Sequence, residues 1–277
     1  MQKKEENYYL SIKNLLDVFD TFPITKSEEE RATLIANVIL DSYDKRSLKQ
    51  VKVISINELF SKALIDFNEL GFTDVTHRAV SILSSIKYKY NEKASDYEFT
   101  ILQDIKEDKN SWIRETKGII VPNTITVSSI PFLMHEVTHM LKDVNPLECR
   151  GYFTDNEVIP MFMELIDGLY NQNNDVFKKR EFMLLNASTI FKRINNWGTK
   201  ENDDVILTQY NLAVSYLNSF YYTLKLLAMY RCNERGTVTL VNEVLSGYIS
   251  TRELDSLLDS INIPYESGLD IFQRGLI

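Results

Sequence analysis

Two histidines four residues apart, with a glutamate directly after the first, are the residues of this sequence best suited to chemistry: His135-Glu136-Val137-Thr138-His139. Four residues advance about 400° along an α-helix, so both imidazoles leave the same face. Two neutral imidazoles on one face can hold a metal ion, and the carboxylate between them can take a proton from water held there. The plainer reading is a pair of buried, hydrogen-bonded histidines. It weakens because the surrounding residues, Ile130, Leu133, Met134, Val137, Met140 and Leu141, are apolar, and two imidazoles and a carboxylate in such a setting are costly without partners. The chain has three histidines. The third, His77, reads as an ordinary helix residue.

A zinc hydrolase takes three protein ligands and leaves a position open for water. A metzincin would need Gly and His at the places held by Lys142 and Asn145, so that class is excluded. The remaining candidates are the carboxylates Glu148, Asp155, Glu157, Glu164 and Asp167. Glu148 comes too soon after the histidine segment for the chain to turn back. Glu157 comes after a connection of useful length and opens a new helical run. Glu164 lies two helical turns later, on the same face. The pair therefore suits a metal ligand with a supporting carboxylate behind the site. The competing readings are a helix-capping role for Glu157, since Thr154 stands three residues before it, and a solvated helix-surface position for Glu164.

The elements that must position these residues are mostly helical. Apolar residues recur at helical spacing over 7–20, 27–43, 57–70 and 74–90, then over 130–144, 157–170, 178–196, 204–233, 237–248 and 251–262. The 27–43 helix should bury Leu34, Ile35, Val38 and Ile39. Segments 97–102 and 118–121 are β-type runs, the second continuing over 124–127 past Pro122, and the charged stretch 104–117 between them reads as a loop. Nine Gly and six Pro in 277 residues disfavour a many-turned all-β fold. The sequence thus predicts a mainly α, α+β chain with a small antiparallel sheet just before the histidine helix. Ser128 and Ser129 are its expected cap, and Pro131 fits its first turn. An N-terminal helical lobe over 1–95 and a catalytic region over 96–277 are expected to form one compact unit.

Over 118–164 the sequence resembles the thimet oligopeptidase and oligoendopeptidase F family of zinc peptidases, which pairs the two-histidine motif with a downstream Glu, a nearby Pro and a second Glu seven residues on. Here these are His135, Glu136 and His139, then Glu157, Pro160 and Glu164. The chain differs in carrying Thr138 inside the motif, in placing Pro160 three rather than two residues after Glu157, and in its shorter length. The resemblance implies a helical zinc-peptidase (gluzincin) core. His135, His139 and Glu157 would be zinc ligands, Glu136 the general base, and Glu164 the second carboxylate. It also implies tyrosines on a late helix that hold the oxyanion. Tyr216 and Tyr221 are the candidates in this chain, with Tyr222 behind them. A thermolysin-like site shares Asn156-Glu157 but needs an Asp where Met161 stands. The implied cofactor is Zn2+, and the implied activity is hydrolysis of oligopeptides or extended protein segments. The 118–127 run offers a strand to which such a substrate could add.

The bulk composition is compatible with this and narrows the alternatives. A net charge of −8 argues against nucleic acid as the main partner. Two cysteines, Cys149 and Cys232, make no disulfide framework and suit a reducing compartment. The first residues lead into no apolar run of signal-peptide length, and no stretch of about 18 apolar residues occurs anywhere. A cytoplasmic chain with no membrane span is the expectation. The reading from another class is a regulatory or binding protein that keeps a zinc-peptidase fold, acts on one protein partner, or does not cut.

Overall fold

The computed structural model describes residues 24–42, 52–108, 111–141, 154–197 and 204–275. The helix expected over 7–20, together with Lys142, Asn145, Glu148 and Cys149, lies outside them, as does the side chain of Asp155. The elements run α1 (Lys26–Ser42), α2 (Ile56–Glu69), α3 (Thr73–Ser85), β1 (Tyr88–Asn91), β2 (Thr100–Asp108), β3 (Ser111–Pro122), a 3-10 turn (Val127–Ser129), α4 (Ile130–Leu141), α5 (Thr154–Tyr170), α6 (Asn174–Trp197), α7 (Asp204–Cys232), α8 (Glu234–Leu245), α9 (Thr251–Ser260) and α10 (Tyr265–Gly275). The chain is mainly helical with one small sheet. It divides into two units, Met1–Asp44 with Cys149–Glu157 and Glu181–Tyr221, and Lys45–Glu148 with Val158–Arg180 and Tyr222–Ile277.

In the first unit, α1 buries Ala32, Ile35, Ala36 and Ile39, a stripe at i, i+3, i+4 and i+7. Leu34, expected on that face, is 37% exposed, because it lies about 100° round the helix from Ile35. Arg31 Nε donates to Asn218 Oδ1 at 2.6 Å, and its guanidinium lies over the Tyr221 ring at 5.8 Å. Tyr210 stacks on Phe191 with ring centres 5.5 Å apart and donates its hydroxyl to Glu29.

The second unit holds the sheet, in the order β1-β3-β2. β2 pairs antiparallel with β3 along its whole length, with a register shift at Leu102/Gln103. β1 pairs parallel with β3, Tyr88 opposite Ile119. The sheet is therefore mixed, not antiparallel as the sequence predicts. Two local readings change with it. Residues 104–108 and 111–117 are paired strand arms rather than loop, since backbone pairing needs no apolar alternation. The helix expected over 74–90 stops at Ser85, and Tyr88-Lys89-Tyr90 goes into β1, where aromatic residues suit a pleated strand. Gly118 allows the approach of this segment, since a Cβ there would meet the Lys87 carbonyl oxygen at 2.5 Å. Ile119 and Ile120 have a neighbour on each side, so a peptide cannot add to β3 at those two residues. The run past Pro122 forms only an isolated bridge, Thr126 with Val53.

Polar contacts hold the histidine helix at both ends. Thr126 caps the turn before α4 and Ser129 completes its capping box, Ser129 Oγ accepting from the Thr126 N–H at 2.9 Å. Thr126 Oγ1 donates to Asp96 Oδ2 at 2.9 Å. Asp96 is held by Lys179 Nζ, 2.8 Å from both its oxygens, and the ammonium lies over the rings of Tyr97 and Phe132. At the other end Arg78 donates to the Leu141 carbonyl, in the last turn of the helix, where carbonyls lack intrahelical donors, and to the Leu245 carbonyl at 2.7 Å.

Asp167, one of the carboxylates considered as a ligand, is used elsewhere in this unit. It is 1% exposed beside Asp66, at 7%, and Asn171 Nδ2 donates to its Oδ1 at 2.9 Å. Burial, then the Asp66 charge, pushes the Asp167 carboxyl well above the usual range. Burial also raises Asp66, with Glu69 adding to the shift while the hydrogen bond from Asp167, the Lys62 charge and Asn171 oppose it. Asp167 thus keeps the proton and donates it to Asp66. A carboxyl whose folded pKa is raised contributes stability that is present below the unfolded value, about 3.9, and is lost as pH rises through the folded one. Asp167→Asn supplies a neutral donor at every pH. It is expected to raise the melting temperature by about 2–4 °C at pH 8 and to leave it unchanged near pH 4. Thermal melts across that range check this, and a gain independent of pH would contradict the shared proton.

Candidate metal centre

Helix α4 is buried nearly all round. Every residue from Ile130 to Leu141 is buried except Glu136, which is half-buried. His135 and His139 are 7% and 9% exposed. Their Nε2 atoms face each other at 3.1 Å, with ring centres 4.8 Å apart and planes inclined at 70°. Two nitrogens bound to one tetrahedral zinc at about 2.05 Å stand about 3.3 Å apart. The separation therefore suits two ligands of one ion as well as it suits a hydrogen bond between imidazoles.

The environment of His135 Nδ1 selects the tautomer. Glu164 Oε2 lies 3.2 Å from it. Arg180 pairs with Glu164 through both arms of its guanidinium, Nε to Oε1 at 2.9 Å and Nη2 to Oε2. Glu164 is fully buried and Arg180 is 2% exposed. Burial would raise the Glu164 carboxyl. The Arg180 charge and the hydrogen bonds from His135 and Arg180 outweigh it and hold the carboxyl below its usual range. An ionised carboxylate only accepts, so in the neutral imidazole of His135 the proton sits on Nδ1 and Nε2 carries the lone pair. Arg180 Nη2 lies 3.2 Å from His135 Nδ1, but two donors do not bond to each other, and Glu164 is the acceptor they share. This is the arrangement that prepares an imidazole for a metal. Glu164 is therefore not the solvated surface residue that its helical position alone allows.

Glu157 stands on the same unbroken helix as Glu164, with Pro160 between them. Pro160 removes one backbone N–H from the turn that contains Glu157, which loosens the helix there. One ligand atom each of His135, His139 and Glu157 lies within 4.8 Å of the others, and the group could hold a metal ion. The group offers two imidazoles and one carboxylate, with one imidazole backed by a second carboxylate.

The tyrosines fall in different places. Tyr216 points its hydroxyl at Met183 Sδ, 3.6 Å away, and lines a cavity together with Glu157. Tyr221 lies under Arg31. Tyr222 is 2% exposed and donates to Asp259 at 2.8 Å, which gives it a structural partner. His77 is exposed on α3. Sequence reasoning missed Arg180, which lies 45 residues from His135. The one signal for it is an arginine within the apolar spacing of α6. Comparison of the chain with models of known protein families, with curated proteins and with solved structures finds no match in any of the three. Among the described residues no helix is long and apolar enough to cross a membrane.

Proposed function

We propose that this protein is a zinc-dependent metallopeptidase, a short relative in kind of the oligopeptidases it resembles, acting on oligopeptides or extended segments. The observation that carries the reading is the facing pair of imidazole nitrogens, with Glu157 within reach and the buried Glu164–Arg180 pair behind His135. A purely structural histidine pair has no need of a second carboxylate and a third candidate ligand. Bound zinc supplies a Lewis acid that lowers the pKa of water toward about 7 and polarises a carbonyl. His135, His139 and Glu157 would hold it. Glu136, the one half-buried residue of its helix, would accept the proton of the attacking water and pass it to the leaving amine. Tyr216 is the better placed of the two candidate oxyanion donors, since it shares a cavity with Glu157, while the ring of Tyr221 is engaged by Arg31.

The test is elemental analysis of the purified protein beside digestion of a peptide library. One zinc per chain, with cleavage abolished by a chelator and restored by zinc, is the expected result. Stoichiometric metal without cleavage of any peptide points instead to a regulatory or binding protein. Absence of stoichiometric metal removes the reading.

A further inference from the structure

The second unit holds a cavity of about 540 Å³ that shares no residue with the metal centre. The end of α5, the start of α6, the last turns of α7 and those of α10 enclose it. Its floor is apolar, with Phe177, Leu227 and Ile271 all buried. Two glycines let α5 and α10 lie against the Phe177 ring, since a Cβ on Gly275 would meet it at 2.6 Å and one on Gly168 at 3.0 Å. The rim is basic. Among the described residues, Arg231 and Arg274 are the only charged side chains that line the cavity. Both turn to one carboxylate outside the lining. Asp270 takes Arg274 Nε at 3.0 Å and Nη2 at 2.8 Å, and leaves Arg231 Nη1 at 3.5 Å. One carboxylate balances one of two guanidiniums, and each guanidinium keeps N–H groups that Asp270 does not use. Tyr230 lends only its ring to the wall, because its hydroxyl donates to Glu234.

A backbone feature singles out the same rim. α5 closes in a turn where the Gln172 N–H donates to the Leu169 carbonyl at 3.2 Å and the Asn173 N–H to the Gly168 carbonyl at 2.8 Å. That pairing needs a left-handed residue at position 172, a place usually filled by glycine. Here it is Gln172, with φ 51°, the one non-glycine residue of positive φ among the described residues. The strain is kept, and the side chain it carries lines the cavity. We propose that this cavity binds a small organic anion, a carboxylate or phosphate head on an apolar body. The head sits on Arg231 and Arg274, and the body lies over Phe177, Leu227 and Ile271. The volume is that of a ligand pocket, about 300–1,000 Å³. Planar guanidinium forks suit either head, and Gln172 adds a carboxamide donor. A cation would face two like charges, and a neutral molecule would give the guanidiniums no counter-charge.

The test is calorimetric titration of the full chain with n-alkyl carboxylates from acetate to octanoate and with the matching n-alkyl phosphates. Neutral n-alkyl amides of the same lengths and inorganic phosphate are the controls. Affinity is expected to rise about threefold per added methylene until the cavity is full, and to be at least about tenfold lower for the matched amide. The series that binds more tightly fixes the head group. Arg231 and Arg274 have exposed side chains, so Arg231→Gln and Arg274→Gln are expected to keep the parent's melting temperature while each weakens the anion about tenfold. Gln172→Gly is expected to raise the melting temperature by about 1–3 °C and to weaken binding about threefold. Equal affinity for anion and amide, or no dependence on chain length, overturns the assignment. Inorganic phosphate bound as tightly as octyl phosphate means an adventitious ion only and also overturns it. No saturable binding by either series, or binding that both arginine variants leave unchanged, reduces the two arginines to solvated partners of Asp270 and overturns it as well. None of these readouts needs turnover, so the metallopeptidase reading stands or falls separately.

Discussion

Arg180→Leu is expected to destabilise the protein by about 3–5 kcal/mol, because it strips a fully buried carboxylate of its counter-charge. Glu164 then takes up a proton and no longer accepts from His135. The imidazole loses the partner that sets its tautomer, and zinc affinity is expected to fall about 10–100-fold. Thermal melts and a competitive zinc titration measure the two effects separately. The double change Arg180→Leu with Glu164→Met separates their causes. Replacing both members of a buried ion pair with apolar groups of similar size is often close to neutral for stability. The double variant should therefore regain most of the lost melting temperature while its zinc affinity stays low. If zinc affinity recovers together with stability, the pair supports only the fold and has no part in preparing His135.

How much of the fold and the site is legible in the sequence depends on how local each interaction is. The two-histidine helix is readable because its chemistry and its spacing are contained in five consecutive residues. Glu157 and Glu164 are readable as a pair because seven residues make two helical turns. The helices after residue 154 appear within a few residues of their expected bounds, since α5, α6, α7 and α8 are punctuated by polar turns, and α9 is marked by its capping box of Ser250 with Glu253. The last helix, Tyr265–Gly275, has only Ile271 and Phe272 as buried side chains of any size, too weak a periodic signal to be read. The sheet is the least legible element. Its polar hairpin arms are held by backbone pairing, which leaves no compositional trace, and parallel pairing of β1 with β3 depends on residues about thirty positions apart. Arg180 and the Asp96–Lys179 pair belong to the same category, as contacts between distant segments. A charged residue in an amphipathic helix looks the same in sequence whether it meets water or a buried carboxylate. Burial decides the difference, and burial is a property of the fold.

Glu136→Gln is expected to lower kcat/KM by about 10²–10⁴-fold while leaving one zinc per chain and an unchanged melting temperature. The reason begins with the helix: every residue of Ile130–Leu141 is buried except Glu136, which is half-buried and directly follows His135. If Glu136 were structural, Gln, equal in size and able to hydrogen-bond, would leave activity near that of the parent. If it were a metal ligand, the substitution would lower zinc content. The proposed role as general base predicts neither outcome, because only proton acceptance separates the carboxylate from the amide. His139→Ala is the counterpart, expected to lose metal and activity together. Measuring zinc stoichiometry, melting temperature and peptide hydrolysis on both variants assigns the roles. Parent-like cleavage by zinc-replete Glu136→Gln would remove Glu136 from the mechanism and require a different base.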